Sequence, residues 1–122
     1  MIAALTLLFG ALGAVTRFVL DAAVKRRWPT PFPWATFGIN VSGSFLLGVL
    51  AAAVLFHGQP AAWQTVIGTG FCGGYTTFST ASFETVRLVQ QQARWRALMN
   101  AFGSLLASVL ACLAGLGLVW AL

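Results

Sequence analysis

The stretch Gly73-Gly74-Tyr75-Thr76-Thr77-Phe78-Ser79-Thr80 constrains this chain more than any other. It lies inside a segment that is otherwise apolar and long enough to cross a bilayer. Paired glycines followed by hydroxyl residues make a poor helix interior. Glycine costs roughly 1 kcal/mol against alanine there, and threonine loses side-chain freedom. In hydrocarbon a broken helix exposes amides and carbonyls that no water satisfies. A break therefore survives only where protein buries it or where it lines an ion or water path. The stretch reads as a backbone ion site or a pore element. The structural alternative is a glycine-rich helix contact whose hydroxyls bond back to their own turn.

Composition sets the surroundings of that stretch. Of 122 residues, 59% are hydrophobic and 7% charged, against about a quarter charged in soluble proteins. So little polar surface cannot cover a soluble globule, and the chain belongs in a membrane. Its length suits one all-α domain of four spans at ~20 residues each, with boundaries at about 2–23, 34–56, 61–88 and 97–122. Four spans cannot both enclose a pore and shield it from lipid, so size alone calls for an oligomer. The net charge of +5 comes from basic residues flanking the spans. It points to membrane orientation and lipid headgroups rather than nucleic acid. Cys72 and Cys112 lie in apolar context without metal-ligand spacing and read as packing residues. The first apolar segment has no basic start and is too long for a signal-peptide core.

In the first span Gly10, Gly13 and Ala14 form a small-residue face. Arg17, in its last turns, is either a snorkelling side chain or a vestibule cation that attracts anions. Trp28 and Trp34 read as interfacial anchors around a turn broken by Pro29, Pro31 and Pro33. In the second span Asn40, Ser44 and Gly48 share a face, with Ser42 and Gly43 beside it. A span-interior asparagine must bond something, whether another helix or a permeating anion. His57 reads as solvated. The third span is longer than a straight crossing needs, in keeping with a break at 73–77. Glu84 near its far end reads as a hydrated helix-end charge or a proton relay. Asn100, Ser104, Ser108 and Cys112 form a polar stripe on the fourth span, either packing glue or a ladder of rotatable donors. Asp21 and Glu84 are the only acidic residues and His57 the only histidine. That shortage argues against hydrolytic or metal-centred enzymology, so the chain does not read as an enzyme.

The run Gly73 to Thr80 resembles the signature of the CrcB/Fluc fluoride channels. So do Gly10 to Arg17-Phe18, Thr36 to Asn40 with the glycines after it, and Gly103-Ser104 with Ser108. The resemblance covers all four spans in order. It implies an antiparallel dimer of four-span subunits in the bacterial inner membrane, able to insert in both orientations, with two fluoride pathways along the subunit interface. The third-span breaks of both subunits would cross and hold one structural sodium ion through the carbonyls of Gly73 and Thr76. Asn40 would donate to fluoride, Phe78 would offer its ring edge, and Ser104 and Ser108 would form a hydroxyl track close to Thr77 and Thr80. Fluoride is small and strongly hydrated, so amides, hydroxyls and the positive edge of an aromatic ring must replace its water. Carbonyl ligands hold sodium without adding an anion-repelling charge.

Two departures stand out. A second phenylalanine usual in the family is Ala81 here, and Phe83 lies about 200° further round a helix. All seven Lys and Arg residues (Arg17, Lys25, Arg26, Arg27, Arg87, Arg94 and Arg96) fall on the side of the first and third connections. The positive-inside rule then puts both termini outside. A homodimer is the simplest assembly. A heterodimer with an oppositely oriented paralogue would supply the missing ring. Two other functions fit the same composition: a proton-coupled small-molecule exporter of the four-span type, and a non-conducting subunit of a paired channel. An exporter needs a membrane-embedded acid, and only Glu84 qualifies.

Overall fold

The computed structural model describes residues 1–122, all helical with short connections and no strands. Helix α1 is Ile2–Arg27 and α2 is Trp34–His57. Residues 61–75 form α3, whose Gln64–Cys72 stretch is wound as a π-helix. Helix α4 is Phe78–Gln90, and α5 is Arg94–Trp120 with π-winding over Met99–Gly103. Three helices, α1, α2 and α5, are each long and apolar enough to cross a membrane.

Local chemistry sets the ends. The prolines at 29, 31 and 33 keep 28–33 non-helical, and α2 begins once they are passed. Gly58 closes α2 in the left-handed conformation, φ 61°, and Pro60 blocks any continuation. His57, expected to be only solvated, instead donates from Nε2 to Val119 O at 2.8 Å and ties the ends of α2 and α5 together. Phe32, Trp34 and Phe37 pack with ring centroids 4.6 to 6.1 Å apart at the start of α2.

The fold is two close helix pairs joined side by side. Helix α1 lies along α3, α2 lies along α5, α3 also touches α2, and α4 packs on the first half of α5. Glycines permit both pairings. A Cβ on Gly48 would collide with Cys112 O, and one on Gly115 with Phe45 O. A Cβ on Gly13 would strike Phe71 O, and one on Gly74 would strike Gly10 O. Backbone meets backbone at these points, the usual basis of helix association where lipid removes the hydrophobic drive.

Only 15 of the 122 residues are buried, and the buried apolar set (Ala35, Ile39, Leu50, Ala52, Cys72, Leu88, Ala97) is mostly small. Large apolar side chains such as Leu7, Phe18, Leu55 and Leu105 face outward. This inside-out distribution is that of a multi-pass membrane protein. Gly48→Leu is expected to destabilise by about 3 kcal/mol or more, because backbone must move. Gly117→Ala, with nothing within 4 Å of the added carbon, is expected to be neutral or stabilising by up to ~1 kcal/mol. Thermal unfolding of the detergent-purified variants checks both.

Candidate functional site

The site is built on the two residues between α3 and α4. Thr76 and Thr77 are extended, at φ −76°, ψ 159° and φ −149°, ψ 123°. Thr76 still donates its amide to Cys72 O at 2.9 Å, and its hydroxyl donates to the same carbonyl at 2.8 Å. The next amide leaves the helix. Thr77 N donates to Asn40 Oδ1 at 2.8 Å, and Asn40 Nδ2 donates back to Thr77 O at 2.9 Å. The asparagine side chain thus pairs with both backbone groups of one residue, as a neighbouring strand would. Gly43, one turn along α2, makes room: a Cβ there would run into Thr76 Cγ2. Ser42 and the Tyr75 hydroxyl, 3.0 Å apart, hold the other side, and Tyr75 stacks on Phe71 at 5.6 Å.

Carbonyls at the end of α3 lose their ordinary helical partners as a result, among them those of the groove-lining residues Gly73 and Thr76. Gly73 O would accept from Thr77 N, which goes to Asn40. Thr76 O would accept from Thr80 N, which goes to Thr77 Oγ1 at 3.2 Å as the N-cap of α4. Thr77 Oγ1 in turn donates to Thr80 Oγ1 at 3.1 Å. No cluster of His, Cys, Asp or Glu capable of holding a metal exists in the chain. The oxygens left without a helical amide at Gly73 and Thr76 are neutral backbone carbonyls.

The break opens onto a groove of about 900 Å³ between α2, α3, α4 and α5. Of the residues singled out from sequence, Asn40, Gly73, Thr76, Thr77, Phe78, Ser104 and Ser108 line it. Thr80 reaches it only through its bond to Thr77. Phe78, first residue of α4, is 88% exposed, with its ring free of the chain's own core. Ala81 lines the groove, and Phe83 is not among its lining residues. Arg17 is not among the lining residues, and its Nε donates to Gly74 O at 3.2 Å. Glu84 is not a hydrated helix-end charge. Its side chain is 11% exposed, Oε1 accepts from Thr36 Oγ1 at 3.0 Å and from Lys25 Nζ at 3.4 Å, and Oε2 is buried without a protein partner. Thr36 is itself buried, so the carboxylate is drawn inward.

Asn100 is the residue whose weight the sequence understated. It is 1% exposed, and Nδ2 donates to Ala81 O at 3.1 Å and to Thr85 Oγ1 at 2.8 Å. Its backbone carbonyl accepts from the Ser104 hydroxyl. Asn100 Oδ1 and Gln64 Oε1 are buried, line the groove and have no partner within the chain. A signal was present: Asn40-Val-Ser-Gly43-Ser44 and Asn100-Ala-Phe-Gly103-Ser104 share one pattern. Both asparagines fix the start of α4, from opposite helices.

An all-helical, multi-pass membrane chain with a polar groove at a helix discontinuity belongs to the channel and transporter class. The particular family is shown by comparison. Residues 4–116 match the model of the CrcB-like protein, Camphor Resistance (CrcB) family, and the chain belongs to that family. It is 52% identical over 109 residues to the fluoride-specific ion channel FluC 1 of Leifsonia xyli, covering 89% of this chain and 78% of that one. It is 47% identical over 112 residues to FluC 2 of Cutibacterium acnes, covering 91% of each. It is 43% identical over 119 residues to FluC 1 of Thermobifida fusca, covering 98% and 96%.

Replacing Asn100 by Ala removes the donor to Thr85 Oγ1, which keeps its own bond to Ala81 O, and removes a second donor from Ala81 O. The expected loss is about 2 kcal/mol, with Thr85→Val costing about 1 kcal/mol or less. Equilibrium unfolding in mixed micelles measures both.

Proposed function

We infer that this chain is a subunit of a fluoride-selective channel that lets fluoride leave the cytoplasm and so lowers its toxicity. Family membership and the names of its relatives support the ion. The observation that carries the mechanism is the discontinuity at Thr76–Thr77, which brings two opposite helix ends to one groove. The C-terminal end of α3 is negative and suits a cation. The N-terminal end of α4 is positive and suits an anion. No enzymatic chemistry is called for.

In this reading α3 and α4 act in series as one interrupted crossing. Their lengths of about 22 and 20 Å are each too short for a ~30 Å hydrocarbon core. The domain then has four spans in a bacterial inner membrane. An open groove lined with hydroxyls cannot face lipid, so a second, antiparallel subunit closes it. Phe78, exposed in the single chain, becomes a wall of the pathway and presents its ring edge to fluoride. Ser104, Ser108, Thr77 and Thr80 supply rotatable hydroxyls. Asn40 keeps one Nδ2 proton beyond its bond to Thr77, which is the donor open to the anion. The carbonyls of Gly73 and Thr76 would hold sodium, which supplies fixed positive charge where the two breaks meet. Arg17 adds to that charge.

A paired assembly has its own support in Ala81, which lines the groove where the family resemblance implies a ring, and in the one-sided distribution of Lys and Arg. Proteoliposomes containing this chain alone, read with a fluoride electrode against chloride, test the reading. Fast fluoride loss with little chloride loss is expected of a self-sufficient channel. No fluoride loss from folded protein, either alone or with an oppositely oriented paralogue, contradicts it. Ala81→Phe is expected to raise the fluoride rate of the chain alone. Glu84→Gln is expected to leave transport independent of a proton gradient, whereas abolition of a proton-driven flux would favour an exporter.

A further inference from the structure

Arg17 is a partly buried cation with no acidic partner. Its one hydrogen bond within the chain is to Gly74 O. Both carboxylates of the chain are engaged elsewhere, Asp21 and Glu84 with Lys25 at 2.8 and 3.4 Å. The placement is built by the tightest packing in the fold. Gly13, four residues before Arg17 and so on the same face, meets Phe71 O, while Gly74 meets Gly10 O. With no side chain between the two backbones, a guanidinium one turn beyond Gly13 reaches the end of α3.

Gly74 O lies between Gly73 O and Thr76 O, the two carbonyls whose helical amides are diverted to Asn40 and Thr77. All three sit at the negative end of α3. A covalently attached cation thus holds the carbonyl between the two that the sodium reading assigns to a diffusible one. A guanidinium on Gly74 O and a cation on the flanking carbonyls, both partly removed from water, would repel by enough to change affinity about tenfold. A two-fold axis through the ion would bring a second Arg17 to the same point.

We propose that Arg17 sets the sodium affinity of the break: it weakens binding at Gly73 and Thr76 by charge and keeps the break positive when sodium leaves. This rests on the sodium reading above. Arg17 thereby acts on the ion site without ligating the ion.

The test is sodium-dependent thermal stability of the purified assembly, because an ion that binds only the folded state raises its unfolding temperature. Sodium chloride is titrated at constant ionic strength against N-methylglucamine chloride, and the concentration giving half of the stabilisation is compared between variants. Arg17→Gln, which keeps a donor and loses the charge, is expected to lower that concentration about tenfold or more. Arg17→Lys, which keeps the charge, is expected to hold it within about twofold. An unchanged or raised concentration in Arg17→Gln, with sodium still stabilising both proteins, overturns the role of Arg17 and leaves the sodium site standing. Absence of any sodium dependence in the unmodified protein overturns both. If neither variant folds at any sodium concentration, Arg17 is a structural cap for Gly74 O and the proposal fails.

Discussion

The structure depends on a reciprocal pair of hydrogen bonds between the Asn40 side chain and the Thr77 peptide. A membrane helix cannot simply stop, since each unpaired backbone group in a dry environment costs several kcal/mol. A carboxamide carries the same donor and acceptor as a peptide group, so one asparagine can replace what a second strand would supply. That replacement lets α3 end at Tyr75 and α4 begin at Phe78 without stranding Thr77. It also decides which groups are left over. The carbonyls of Gly73 and Thr76 are among those released, and both residues line the groove. Gly43 is the steric counterpart: any larger residue would push the break away from α2.

Electrostatics follow from this geometry rather than from the chain's few ionised groups. Opposed helix ends meet at one point, with hydroxyls of α5 across the groove. The negative end of α3 and the positive end of α4 are separated by the direction of the backbone, with no acidic side chain among the residues lining the groove. Asn100 performs from α5 a task parallel to that of Asn40, anchoring Ala81 and Thr85 in the first turns of α4. Phe78, at the start of α4, is therefore aimed by two asparagines on two different helices. Its ring is held at the groove's edge yet stays exposed in the single chain.

Much of this was legible from residue spacing. The interval of four in Asn40-Ser44-Gly48 and in Asn100-Ser104-Ser108-Cys112 marked two polar faces. Those faces do converge, sharing the groove above and meeting where Gly48 lies against Cys112 O. The glycine-hydroxyl run marked the discontinuity. Sequence alone did not reveal the partners. Arg17 and Gly74 are 57 positions apart, and only the closeness of α1 to α3 makes a carbonyl cap of an arginine that reads as either a snorkelling side chain or a vestibule cation. Glu84 misled for a related reason. A carboxylate near a helix end is usually hydrated, but buried Thr36 and Lys25 from two other helices draw it inward. His57 was misjudged because its acceptor, Val119 O, is 62 residues away. Side chains whose partners are distant in sequence leave no periodicity to read.

The central claim is that Asn40 holds the Thr77 peptide open, and amide hydrogen exchange at Thr77 addresses it most directly. In the unmodified protein the Thr77 amide, which has no helical acceptor, is expected to be protected about as well as the Thr76 amide bonded to Cys72 O. In Asn40→Ala, Thr77 exchange is expected to accelerate by about tenfold or more while Thr76 stays protected. A Thr77 amide that exchanges freely in the unmodified protein, or whose protection survives loss of the Asn40 side chain, would contradict the account.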